Sequence, residues 1–407
     1  MTQGRERLTI DGHLGPLRAV ETPLTLDISP LTVFIGPQGT GKSLASQLLY
    51  FFRDAQYLIS RYSRQEGPEQ TVRRVIEGIR SGEDSKRSFS SFVMNKKVEV
   101  GYQRIEDDPG EEDWGITCYE SNRIIRPKKI FKQSIKAWLT QITDNPTLSG
   151  DLHPRVLFVP AERSFFSRLI NADPGALGSS DLPISMRQFT SFLMGAADTH
   201  QQWQGAPGER PREVAEIDQM ITHELRGYAV FSRTGPYARR WQWMPEGSDR
   251  PIEIEMASSG QMETWPMVSI AQAMFAWERP RRPLFIHIEE PETHLHPSAQ
   301  VAITQLLAYL CNRGFRLVIT THSLFVLYVL NNLILANQHL PKQNFEGLPD
   351  AGLRLTPEHL SAYLFAEGTA VSICDQSGEL DESRLSSVLG NLEVQYNQIQ
   401  AYDVLWS

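Results

Sequence analysis

The chain has 407 residues, 41% hydrophobic and 22% charged, a composition that supports a sizeable core and excludes disordered and fibrous classes. Forty Lys and Arg against 48 Asp and Glu give a formal charge of −8, which argues against a wholesale electrostatic nucleic-acid binder but leaves room for a local basic patch. Cys118, Cys311 and Cys374 stand far apart, offering neither a disulfide framework nor a C-x-x-C metal site, and suit a reducing compartment. The opening stretch MTQGRERLTIDGHLG lacks the apolar core of a signal peptide, and no window approaches the roughly 18 uninterrupted apolar residues of a membrane span. A soluble protein of the cytoplasm, not bound to membrane, is the expectation.

The first informative segment is LTVFIGPQGTGKSLASQLLY, residues 31–50, in which a β-branched and aromatic run meets a glycine-rich turn and then a helical pattern. Gly36, Pro37, Gln38, Gly39, Thr40, Gly41, Lys42 and Ser43 fill the spacing G-x-x-x-x-G-K-S. Glycines let consecutive N–H groups turn inward toward phosphate oxygens, and the helix that follows adds its positive end. Lys42 is expected to reach the β- and γ-phosphates of a nucleotide, and the Ser43 hydroxyl to ligate Mg²⁺.

A long interval follows, from Ser43 to Ser258. It shows no sustained heptad, and prolines from Pro68 to Pro211 interrupt it, so a compact, mainly helical lobe is expected, with a Gly/Pro-rich loop near 204–211. Within it, Asn122–Lys136 holds six basic residues and no acidic one, directly after the acidic run Glu106–Asp113. Two readings stay open: a surface for nucleic acid or an acidic partner, and a solvated face paired with the acidic run. Arg279, Arg281 and Arg282 invite the same pair of readings.

From Pro283, PLFIHIEEPETHLHP reads as a buried strand ending in Glu289 and Glu290. Paired carboxylates at the C-terminal end of a strand beside a phosphate loop suit metal binding and water polarisation: Glu289 in the metal shell with Ser43, Glu290 orienting the attacking water. Pro297 and Gly314 bracket a helix. The next run, FRLVITTHS, is another apolar strand, ending in His322, whose imidazole can donate a hydrogen bond to a γ-phosphate.

Taken in order, GPQGTGKS at 36–43, SSGQ at 258–261, FIHIEEPETHLHP at 285–297 and ITTHS at 319–323 resemble the motifs of ABC-type ATPases related to chromosome-maintenance and DNA-repair heads. The likeness is strongest to small bacterial relatives, the AAA15/AAA21-like and overcoming-lysogenisation-defect ATPases of antiphage defence. The resemblance implies an α/β P-loop NTPase of ABC-ATPase type, with a mixed sheet flanked by helices and a compact insertion instead of a coiled coil. It implies ATP and Mg²⁺ as cofactors, with Lys42, Glu290 and His322 in catalysis. It further implies a homodimer through the nucleotide: Ser258, Ser259, Gly260 and Gln261 of one copy cap the ATP held by Lys42 of the other, at the start of a helix placed near Met262. VPAERS at 159–164 is also similar to a motif of these ATPases and would turn Arg163 toward the nucleotide or the dimer partner.

Two departures stand out. Glu289 replaces the usual aspartate before the catalytic glutamate, which is compatible with slow turnover, and Gln103 is only one candidate for the glutamine-loop residue. The expected organisation is a core made of 1–60 and 246–407 around an insertion at 61–245, with a core-associated segment near 155–165. The stretch after Ser323 is short for an added nuclease; Leu353–Cys374 reads as strands closing the sheet, and the acids at Asp375, Glu379, Asp381 and Glu382 as a turn. The leading reading is therefore a dimerising ATPase that scaffolds or controls a separate effector, a nuclease or toxin, in antiphage defence. The alternatives are a repair or maintenance ATPase acting directly on nucleic acid and, less favoured, a transporter subunit.

Overall fold

The computed structural model describes residues 5–63, 70, 97–105, 113–119, 124–127, 155–172, 184–233, 239–277, 283–375, 377–381, 394–395 and 397–398. Lys128, Lys129 and Lys132 of the basic run, the acidic residues 106–112, Arg279, Arg281, Arg282 and Glu382 lie outside them.

Six strands form the central sheet: β3 (Leu31–Ile35), β7 (Arg155–Val159), β11 (Pro283–Glu289), β12 (Arg316–Thr321), β13 (Leu360–Ala366) and β14 (Thr369–Ser372), in the order β14-β13-β3-β12-β11-β7. All pairs are parallel except β13 with β14. A parallel sheet is covered on both faces, which is why these strands read as near-continuous apolar runs. Within β3 the period of two is visible: Leu31, Val33 and Ile35 join one core, and Phe34 the other.

The helix α1 (Lys42–Ser63) fills that second core. Leu44, Ala45, Leu48, Leu49 and Phe52 pack beneath Phe34, Val318 and Phe365. Their opposite cover is an antiparallel sheet of β1 (Arg5–Leu14), β2 (Leu17–Ile28), β4 (Lys97–Ile105), β5 (Asp113–Tyr119) and β6 (Ile124–Pro127), ordered β2-β1-β4-β5-β6. Leu8, Ile10, Leu26, Val98, Val100 and Ile116 line its inner face. Among its polar members, Glu6 accepts from Arg53 at 2.5 Å and from Tyr102, and Arg53 Nη1 stands 3.0 Å from His287 Nε2. Burial drives His287 well below its ordinary pKa, so it serves as a neutral link.

On the other face lie α2 (Arg163–Ala172), α3 (Ile184–Gly205), α4 (Arg212–Ile221), α5 (Ser259–Met274), α6 (Pro297–Asn312) and α7 (Leu324–His339). A small sheet joins them: β8 (Gly227–Arg233), β9 (Arg239–Pro245) and β10 (Ile252–Glu253). Trp241 packs against Trp265 with ring centroids 4.7 Å apart, so this sheet and α5 share one core.

The fold is α/β, with mixed sheets flanked by helices. Residues 61–245 were expected to be mainly helical, yet their described part also contains six strands, β4 to β9. β4 pairs with β1 because the alternation Val98, Val100, Tyr102 is a strand period that places each of these side chains on the α1 core, and β7 pairs with β11 and β8 with β9. α1 and α3, at 22 residues, are the longest described helices, and none is long and apolar enough to cross a membrane. α3 runs to Gly205, so the Gly/Pro loop narrows to residues 206–211. Leu353–Cys374 does supply β13 and β14, and Asp375 accepts from the N–H groups of Ser377 and Glu379 in a turn.

Ile35, Thr321, Glu289 and Val159 end together at one edge of the parallel sheet. That edge, at the C-terminal ends of the strands, is where open α/β sheets bind ligands.

Candidate active site

The loop after β3 turns on three glycines with positive φ: Gly36 at 143°, Gly39 at 73° and Gly41 at 101°. A Cβ on Gly36 would stand 2.2 Å from the Phe365 carbonyl oxygen of β13, so any side chain is excluded there. Pro37, Gln38 and Gly39 face outward, and the Thr40 hydroxyl donates to the Pro37 carbonyl at 2.8 Å. Lys42 opens α1 and turns its ammonium back into the loop, donating to the carbonyls of Gly36 at 2.8 Å and Pro37 at 2.7 Å. Burial lowers its pKa, while the Glu290 and Glu292 carboxylates act the other way.

The Ser43 hydroxyl, one residue on, lies beside the Glu289 carboxylate, which Gln47 Nε2 also approaches at 3.5 Å. Burial pushes Glu289 above the usual carboxylate range, and the Glu162 charge adds to this; the Ser43, Gln47 and Ala161 hydrogen bonds restrain it. Two hard oxygen donors thus meet beside a lysine, a donor set that fits Mg²⁺, which prefers one or two protein ligands and completes its shell with water and phosphate. Among the described residues no group of three or more His, Cys, Asp or Glu could hold a metal, so this pair would depend on the nucleotide for the rest of the shell.

Glu290 follows with φ at 44°, a left-handed backbone unusual for a residue with a side chain. Its N–H donates to the Thr320 carbonyl at 2.9 Å, and its Oε1 lies 3.2 Å from His322 Nε2. Thr293 caps the turn, its hydroxyl donating to the Glu290 carbonyl at 2.9 Å. Sequence reasoning assigned no role to Glu292, yet its buried carboxylate accepts from the Thr321 hydroxyl at 2.5 Å and the His322 N–H at 2.8 Å. It therefore sets the backbone of the histidine.

Arg163 faces neither a nucleotide nor an outer surface. It is fully buried, and its guanidinium donates to the main-chain carbonyls of Pro160, Glu263, Glu289 and Glu290. The four-residue segment Ser258–Gln261 lies elsewhere on this edge. Helix α5 starts at Ser259, three residues before the expected position, because Ser258 caps it: its hydroxyl accepts the Gln261 N–H, and Gln261 Oε1 accepts the Ser258 N–H at 2.8 Å. The Gln261 amide NH₂ is occupied by the Leu225 carbonyl at 2.8 Å. Gly260 presses on the turn after Glu290, where an added Cβ would stand 2.6 Å from the His294 carbonyl oxygen. Ser259 is left exposed, and no hydrogen bond joins Ser258–Gln261 to the phosphate loop of the same chain among the described residues. Gln103 lies on β4, opposite Arg7 and Asp113 in the antiparallel sheet.

Residues 196–327 match the family model described as an AAA ATPase domain, AAA_15. The matched stretch takes in SSGQ, both carboxylates and His322. It begins after the phosphate loop. Similar solved structures include an SmcHead bound to the C-winged helix domain of ScpA, at 12% identity and TM-score 0.44, covering 93% of this chain and 99% of that one. They also include an Smc head domain with an extended coiled coil bound to the C-terminal domain of ScpA derived from Pyrococcus furiosus, at 11% identity and TM-score 0.43, covering 96% and 99%. The SMC head domain from Thermotoga maritima is 11% identical with TM-score 0.39, covering 91% and 98%. No curated protein matches the chain.

Proposed function

We propose that this chain is a Mg²⁺-dependent ATPase of the cytoplasm that works as a dimer with two ATP molecules between its copies. The observation that carries the reading is the meeting of Lys42, Ser43, Glu289, Glu290 and His322 at one sheet edge. The glycine-built loop and the start of α1 offer N–H groups to the phosphates, and Lys42 exchanges its two loop carbonyls for β- and γ-phosphate oxygens. Ser43 and Glu289 would hold Mg²⁺, which supplies charge neutralisation between the β- and γ-phosphates. Glu290 accepts a proton from the attacking water or aligns it, and His322, paired with Glu290, donates to the γ-phosphate.

The exposed Ser259, at the positive end of a 16-residue helix and not bonded to its own phosphate loop, suits an anion presented by a second copy. ATP then joins the copies and hydrolysis releases them. In the antiphage setting suggested by the motif resemblance, this cycle governs a separate effector, a nuclease or toxin, held in a larger complex.

Complementation tests the shared site. A Lys42→Ala chain retains Ser259, and a Ser259→Arg chain retains Lys42; each alone is inactive, and an equimolar mixture regains ATP turnover because one of its two pockets is whole. A mixture as inactive as its parts, or a Ser259→Arg chain as active as wild type, refutes the dimer. For the effector, the product of the adjacent gene co-purifies with wild type and is lost with Lys42→Ala or Glu290→Gln. Recovery of the ATPase alone in every case removes that part of the proposal.

A further inference from the structure

Arg163 contributes an unusual set of bonds. Its Nε donates to the Glu263 carbonyl at 2.8 Å, Nη1 to Pro160 at 2.8 Å and Glu289 at 2.6 Å, and Nη2 to Glu290 at 2.9 Å. A buried cation usually sits in a carboxylate fork, but here the nearest carboxylate oxygen, Glu263 Oε2, is 3.9 Å from Nε. The guanidinium is used instead to bind three separate pieces of backbone: the end of β7, the second turn of α5 and the residues that close β11.

The rest of α2 reinforces the α5 side. Pro266 has no N–H, so the Met262 carbonyl one turn earlier lacks its helical partner; the Ser167 hydroxyl supplies one at 2.7 Å. The Ser164 N–H donates to the Glu263 carboxylate at 3.1 Å. On the other side, the Glu290 carbonyl is shared by Arg163 and Thr293, and these bonds hold the left-handed backbone that aims the Glu290 carboxylate at His322. Gly260 meets the same turn at His294. Glu263, one turn beyond Ser259 on α5, and Glu290 are thus joined through one fully buried side chain.

We infer that Arg163 is a positioning residue that couples the Ser259 end of α5 to the backbone carrying Glu289 and Glu290, so that engagement of Ser259 by a second copy fixes the hydrolytic carboxylate. The inference deepens the ATPase reading and rests on it for its functional part. The coupling itself is a property of the chain without nucleotide. Lysine keeps the charge but has a single ammonium, which cannot span carbonyls on three segments.

The test compares wild type with Arg163→Lys by amide hydrogen exchange without nucleotide, by MgATP binding and by single-turnover hydrolysis. Exchange is expected to rise about tenfold in 259–265 and in 289–295 together, with β3 and β12 unchanged. MgATP affinity stays within about twofold while hydrolysis falls about tenfold or more. Exchange that rises in one segment only, unchanged hydrolysis, or binding and hydrolysis falling in step each overturns the inference. If Arg163→Lys does not fold, Ser167→Ala carries the same test: it removes a bond to α5 alone, and raised exchange at 289–295 is expected only if Arg163 transmits it. A wild-type chain that neither binds nor hydrolyses ATP defeats the ATPase reading separately, and the exchange experiment still decides the coupling.

Discussion

Glu290 and His322 come from the ends of two neighbouring parallel strands, and their side chains meet at 3.2 Å across the edge where the strands stop. Both side chains are about a third exposed, so the pair can open toward a phosphate or a water without breaking the core. Replacing Glu290 by Gln removes the acceptor while keeping the shape. Turnover is expected to fall about 10²- to 10⁴-fold with MgATP affinity retained. His322→Ala lowers turnover in the same direction. Single-turnover kinetics alongside calorimetric binding separates these losses from a loss of affinity.

Lys42 loses two carbonyl partners in Lys42→Ala, and the loop loses its only lysine. The expected effect on MgATP binding is about 3 kcal/mol, or roughly two decades in Kd. Thermal stability without nucleotide changes little, because a buried ammonium is removed along with its hydrogen bonds. Calorimetric titration and a melting curve on the same preparation check both halves.

Gly36 and Gly39 differ sharply although both have positive φ. An alanine at 36 meets the Phe365 carbonyl at 2.2 Å, whereas at 39 nothing lies within 4 Å. Gly36→Ala is expected to destabilise by about 3 kcal/mol or more through displaced backbone, and Gly39→Ala by about 1–2 kcal/mol through strain alone. Denaturant unfolding midpoints rank the two; equal midpoints contradict the assignment.

Glu6 sets a limit at low pH. Burial by itself raises a carboxyl, but the Arg53 and Arg316 charges and the Arg53 and Tyr102 hydrogen bonds hold its pKa at about 2, against an ordinary 4.5. A depressed folded-state pKa gives stability that is present above about pH 4.5 and lost as the pH falls toward 2. The contribution is on the order of 3 kcal/mol. Glu6→Gln flattens this acid limb in unfolding free energy measured from pH 6 to pH 2, while lowering stability at pH 7 because Arg53 is left buried.

Asp54 acts with the opposite sign. Burial lifts it to about 6, although Gln188 donates to it at 3.0 Å. The unfolded carboxyl ionises from its ordinary 3.8 while the folded one stays protonated up to about 6, so stability falls across that interval and stays lower above it. Asp54→Asn is expected to stabilise the protein at pH 8 by on the order of 2 kcal/mol and to leave it nearly unchanged at pH 4. An unfolding series across that range reads the difference directly.

The parts of the site legible in the sequence are those written in contiguous residue types. The strand, glycine turn and helix at 31–50, the acidic end of β11, and the helix bounded by Pro297 and Gly314 all announce themselves through local pattern. The partners of Arg163 did not, because they are carbonyls up to 127 residues away, and a carbonyl carries no residue signature. The VPAERS resemblance singled the residue out but turned it toward the nucleotide or the dimer partner, whereas it is fully buried. Gln261 was expected at the nucleotide; its side-chain oxygen closes the cap of α5, a role that the spacing Ser258 to Gln261 already permits, and its NH₂ donates to the Leu225 carbonyl. β4 and β5 were hidden by the prolines and charge runs around them, which drew attention from the short alternation that defines each strand.

Arg53 sits on the same helix that presents Lys42, and it is bolted to β1 through Glu6 and to β11 through His287. The helix that opens with Lys42 is consequently pinned at its middle to both sheets by ionic and neutral links that water cannot reach. The antiparallel sheet, α1 and the strand bearing the two carboxylates are thereby one bonded block, so the spacing between Lys42 and Glu289 is built into the core itself.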